Sequence, residues 1–131
     1  MKRGMQEKLL FEYAVIRVVP RVEREEFLNV GVIVYCPKQK FLRVKYTLNE
    51  ERLRAFCGMI DMHEVEEHLR SFEQVSQGGT AAGPIGKLDT ASRFRWLTAT
   101  RSTILQTSKT HTGFSADPAA ALVKLHEQLV L

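Results

Sequence analysis

The sequence predicts an α+β domain: an antiparallel β-sheet of three to five strands with helices packed on it, in a single unit spanning 1–131. Three observations carry that reading. Two runs rich in Val, Ile, Phe and Tyr, 11–19 and 27–36, flank a short connector holding Pro20 and three glutamates. A third run, 41–48, alternates Leu42, Val44, Tyr46 and Leu48 with Arg43, Lys45 and Thr47, as a strand with one wet face does. Two segments, 61–76 and 117–130, open on helix-start residues and continue with apolar residues at three- and four-residue steps.

In chain order, residues 1–10 read as a loose leader before the sheet. Along the first run, Tyr13, Val15 and Arg17 share one face while Ala14, Ile16 and Val18 take the other, so both faces are apolar and the strand is expected to be central. Along the second, Val30, Val32 and Val34 are expected on one buried face by their common parity, with Asn29, Gly31 and Ile33 opposite. A glycine inside a strand marks a bulge or a close approach, and Gly31 is expected to leave room beside Asn29. If Val19 pairs with Phe27, then Arg17 stands across from Asn29.

Asn49 caps a short helix that carries Glu50 and Glu51 in its first turn and stops at Gly58. Asp61 and Glu64 have capping-box spacing, ahead of a stripe made by Val65, Leu69, Phe72 and Val75. Glu66 and Arg70 form a surface i, i+4 pair. The Gly-rich run 77–87 reads as a flexible loop. Residues 88–97 predict a helix with Leu88, Ala91, Phe94 and Leu97 inward and Trp96 anchoring it to the sheet. A fourth strand is expected over 101–107, an irregular stretch over 108–115, and a last helix started by Asp117 and Pro118 with Leu122, Leu125 and Leu129 on its core side.

Composition narrows the function classes. No apolar run reaches the roughly 20 residues that span a bilayer. The opening MKRGMQEKLL lacks the apolar region of a signal peptide, and Cys36 and Cys57 read as isolated buried thiols, so a cytoplasmic address is expected. The net charge of +4 is unevenly spread: residues 58–79 hold 1 Lys/Arg against 5 Asp/Glu. An acidic middle argues against a uniform nucleic-acid wrap and leaves room for a local basic patch.

Most chemical motifs fail on spacing. His63 and His68 are five apart, so they do not share the helix face that a zinc-protease motif needs. Gly86-Lys87 imitates the end of a P-loop, but Leu88 replaces the magnesium-binding hydroxyl and a helix, rather than a strand, precedes it. Glu23, Glu25 and Glu26 read as an exposed acidic connector. No metal or cofactor is expected. One constellation survives: Arg93, Arg95 and Arg101, followed by Ser102, Thr103, Gln106, Ser108, Lys109 and His111. Guanidinium groups beside hydroxyls and an imidazole suit a phosphate or carboxylate. The bland reading leaves these arginines as separate surface residues.

The opening pattern FxYAVIRVVPxxxREEFxNVGVIVYCP and the later stretch RFRWLTATRSTILQTSKTHTGFSADP resemble the two blocks of a bacterial family known only as domain of unknown function 3037. The two blocks bracket nearly the whole chain. That family's second block has an R-x5-R-S-x3-Q-x4-H frame, matched here by Arg95, Arg101, Ser102, Gln106 and His111, and its first block supplies Arg17 and Asn29. The resemblance brings no agreed activity; it implies genomic proximity to a HipA-type kinase. The resulting expectation is a non-catalytic interaction or regulatory module acting with such a kinase. The alternative is a nucleic-acid or phosphate-ligand binder using 93–111. An enzyme with His111 as acid or base lacks a nucleophile or metal to work with. Arg17, Asn29, Arg95, Arg101, Ser102, Gln106 and His111 form the expected ligand- or partner-binding set, and all of them but Gln106 are expected to converge on one concave patch.

Overall fold

A computed structural model describes residues 7–131. The elements run β1 (Leu9–Val18), β2 (Leu28–Cys36), β3 (Phe41–Tyr46), α1 (Glu50–Phe56), α2 (Met62–Gln77), α3 (Thr90–Thr98), β4 (Leu105–Thr107), β5 (His111–Ser115) and α4 (Pro118–Leu129), with short 3-10 turns at 22–24, 37–39 and 80–87. This is the expected α+β architecture, with five antiparallel strands. Residues 9 and 10, read as leader, belong to β1; the first six residues of that leader lie outside the described residues.

β1 is the middle of the sheet, as its two apolar faces require. β2 pairs with it along Glu12–Val18 and β3 lies beyond β2. The other side of β1 is filled end to end by β4, opposite Ile16–Val18, and β5, opposite Leu9–Tyr13. Arg17 stands across from Asn29, as the trial register predicts.

The two valine expectations split. Val30, Val32 and Val34 are all buried, but they do not share a face. The β1–β2 register slips between Ile16, opposite Gly31, and Arg17, opposite Asn29, so Val30 is an extra residue in a β-bulge. Val30 packs in the same cluster as Ile33 and Tyr35, and a Cβ on Gly31 would also point there, 2.9 Å from Tyr46 Cβ and 3.1 Å from Ile16 Cδ1. Two consecutive residues thus face one way, and only glycine fits the second position. Gly31 therefore leaves no space beside Asn29, which faces the opposite side.

On the first face Ile16, Ile33 and Leu42 meet Leu69 of α2 and Leu97 of α3, all fully buried. Each such side chain contributes about 2 kcal/mol of burial. On the second face Phe11, Val32, Val34 and Cys36 pack against Leu122 and Val130 at α4. On the inner side of α4, His126 is buried at 4% exposure beside Leu122, while Leu125 and Leu129, expected on the core side, are half-buried.

Helix starts follow the capping chemistry. Asn49 accepts from the Arg52 amide, Asp61 from His63 and Glu64, and Asp117 from Ala119 and Ala120. On α2, His63 and His68 face separate carboxylates, Glu67 and Glu64, at the surface. The 77–87 segment is wound into 3-10 turns, its ends joined by the Gly79 amide to the Gly86 carbonyl, with Ala82 and Ile85 packed on the core.

The fourth strand is shorter and later than expected. Residues 101–104 are irregular, and 111–115, read as irregular, pair with β1. From Tyr13 to Ile16 is three steps, but from His111 back to Thr107 is four, so β4 and β5 are one strand interrupted by a bulge. Ser108 repairs the interruption: its amide donates to the Val15 carbonyl at 2.8 Å, and its hydroxyl accepts the Val15 amide at 2.9 Å. Among the described residues no helix is long and apolar enough to cross a membrane.

Candidate functional site

α3 places the two arginines that matter most in this region. Asp89 caps it, accepting the Ser92 amide at 2.7 Å, a bond that also holds the Asp89 carboxyl below its ordinary pKa. Phe94 and Leu97 then turn to the core, and Arg93, one turn before Leu97, is drawn to the same side. Arg93 is buried, its Nε donating to the Leu88 carbonyl at 3.0 Å and its Nη1 to Val75 and Ser76 carbonyls at 2.9 and 2.8 Å. It closes the C-terminal end of α2, which carries no basic residue in its own last turn. The arginine is therefore structural, and its place in the apolar rhythm with Phe94 and Leu97 was the sequence signal for that.

Beyond the end of α3 the chain turns back, and Arg101 folds over the helix. Its guanidinium lies 4.9 Å from the ring centroids of both Phe72 and Trp96, and Nη2 donates to the Trp96 carbonyl. Trp96 itself meets Phe72 of α2 edge-on at 6.3 Å, so the two rings form the seat. Burial alone pushes the Arg101 pKa below its ordinary value; no carboxylate contributes. A pocket of about 230 Å³ opens beside it, lined by Thr98, Thr100, Arg101, Gln106, Ser108 and Lys109 among others, with no acidic residue in its wall. The Ser108 hydroxyl is already engaged with Val15 and Lys109 backbone. The available cations are Arg101 and Lys109.

The remaining expected residues fall elsewhere. Arg95 is exposed on α3, donating to Ser92 Oγ at 3.3 Å, and Ser102 is exposed on the following loop. Arg17, Asn29, Gln106 and His111 share the α4 face of the sheet by their cross-strand pairing. There Asn29 Nδ2 donates to the Leu129 carbonyl at 3.1 Å, Arg17 lies 3.9 Å above the Phe27 ring, and His111 stacks on Tyr13 at 5.2 Å. Arg17 Nε and Asn29 Oδ1 are both buried without a hydrogen-bond partner among the described residues. Gln106 belongs to both regions, since it lies across from Arg17 and also lines the Arg101 pocket. Phe72, which seats Arg101, lies 29 residues away and has no local signal linking it to the pocket.

Fold and site together define a small α+β domain whose five-stranded antiparallel sheet carries a cationic pocket at one edge. The chain belongs to the family described as protein of unknown function (DUF3037), whose model matches residues 13–130. No curated protein and no solved structure matches it.

Proposed function

We propose that the chain is a non-catalytic interaction module that holds an anionic group of a protein partner, a phosphate or a carboxylate, in the Arg101 pocket. The observation that carries this is an arginine seated on two rings, partly desolvated, with no carboxylate facing it. A guanidinium in that setting gains more from an incoming anion than one in water does, and it presents a flat fork suited to phosphate or carboxylate. Lys109 and the Thr98 and Thr100 side chains line the same pocket.

A protein partner is favoured over nucleic acid by what lies next to the pocket. Phe72 belongs to α2, which carries Glu64, Glu66, Glu67 and Glu73 against Arg70 alone, so a polyanion extended from Arg101 along α2 would run over net negative charge. The proposed setting is a bacterial cytoplasm, to which two unpaired cysteines are suited. A HipA-type kinase encoded nearby is the first partner to test.

Titration of the folded chain with inorganic phosphate and with phosphoserine, followed by amide chemical shifts, tests the pocket. Shifts should concentrate at Thr100, Arg101 and Lys109 and vanish in Arg101→Ala. An unresponsive pocket at high millimolar phosphate overturns the reading. Preferential binding of labelled RNA or DNA, weakening steeply with salt, would replace the protein partner by nucleic acid.

A further inference from the structure

The sheet has two edges, and they are built differently. β3 carries exposed Arg43 and Lys45, the kind of charge that keeps edge strands from pairing. β5, His-Thr-Gly-Phe-Ser, has no acidic or basic residue apart from a histidine. It also exposes Phe114 at 67%, and Leu10, directly across from Phe114 on β1, is 44% exposed. Among the described residues β5 pairs with β1 only.

Which backbone groups are free follows from Ser108. Val15 directs both its amide and its carbonyl to Ser108, and backbone groups of alternate residues point to opposite edges. Leu9, Phe11 and Tyr13 therefore bond across to Ser115, Gly113 and His111. Thr112 and Phe114 turn their amides and carbonyls outward.

We propose that this edge is a self-association surface: the β5 strands of two copies pair antiparallel about a two-fold axis at Gly113, making one ten-stranded sheet. In that register Thr112 bonds the partner's Phe114 and Phe114 the partner's Thr112, so each outward amide and carbonyl is met. His111 faces the partner's Ser115. At both ends Lys109 approaches the partner's Asp117, so opposite charges meet and no like charges do. The pairing covers Phe114 of both copies together with the adjoining Leu10, and no other occupant is needed to satisfy the edge. An isologous two-fold contact of this kind closes on itself and stops at the dimer.

Sedimentation velocity of the full chain over a range of concentrations tests it, beside two variants. Thr112→Pro removes one outward amide and no bond to β1. Phe114→Lys puts charge beside the axis. A concentration-dependent dimer is expected for the parent, with dissociation constants raised at least roughly ten-fold in both variants. Arg43→Ser on the opposite edge should dimerise like the parent. Circular dichroism confirms that each variant remains folded. A parent that stays monomeric throughout overturns the proposal and leaves the edge to a strand from another protein. A dimer indifferent to both variants overturns it as well.

Discussion

Arg93 and Arg101 sit near the two ends of α3, and their surroundings differ in kind. Arg93 directs its donors to three carbonyls belonging to the end of α2 and the approach to α3, and its guanidinium lies against Gly78, where a Cβ would come within 3.1 Å. Arg101 reaches a single carbonyl and is otherwise held by the faces of two rings. Rings fix the position of a guanidinium without using its hydrogen bonds. An arginine satisfied by carbonyls is part of the scaffold, whereas one positioned by aromatic faces keeps donors for a ligand.

The largest test of that contrast is Arg93→Ala. It leaves the Val75, Ser76 and Leu88 carbonyls without their buried donor and should cost about 3 kcal/mol, read from urea unfolding. Arg93→Lys should restore less than half of this, because one ammonium cannot reach carbonyls on both sides as the fork does. Arg101→Ala comes next, costing about 1 kcal/mol of stability while abolishing the response to phosphate. If Arg101→Ala destabilised as much as Arg93→Ala, with phosphate binding intact, the distinction between the two arginines would collapse.

The smallest effect belongs to His126, a buried polar group with an internal partner. Its Nε2 lies 2.8 Å from Thr47 Oγ1, and burial followed by the nearby Lys45 lowers its pKa from the ordinary 6.5, with Glu127 opposing. The folded state therefore holds His126 neutral, while the unfolded chain takes up a proton first. Stability from this site is intact above pH 6.5 and declines as the pH falls below it. Thermal melts from pH 8 to 5 should show that decline, with a shallower slope in His126→Gln. An identical slope in the variant would assign the pH dependence to other groups.

The parts legible in the sequence are those fixed by near neighbours. Asn49, Asp61 and Asp117–Pro118 announced their helices because a cap needs only the next three residues. The cross-strand pairing of Arg17 and Asn29 followed from a short connector. β5 escaped notice because a five-residue strand with a glycine in the middle and one aromatic has no alternation to see, and β1 alone makes it a strand. Gly113 is there because a Cβ would strike the Phe11 ring at 2.7 Å, a contact across about a hundred residues. Of the second-block residues, Arg101 and Gln106 line one pocket. Arg95 and Ser102 project elsewhere, since a helix end and an irregular loop set their directions, and neither is fixed by spacing. Arg17, Asn29 and His111 follow the pleat of the sheet to the α4 face.

The bond between Val15 and Ser108 also has a consequence in time. It joins residues 93 apart, whereas β1, β2 and β3 are linked by connectors of a few residues. Hairpins form in about 1–10 μs, and distant closures pay an entropy that grows with the intervening chain. These separations predict that the three-stranded meander assembles first and that β4 and β5 arrive later. Until they do, the strand that ends at the centre of the sheet is an outer strand, with the odd-numbered backbone groups of Leu9–Val18 bare. The vulnerable interval for this chain is thus set by the arrival of Ser108, and a delay there prolongs the exposure of its central strand.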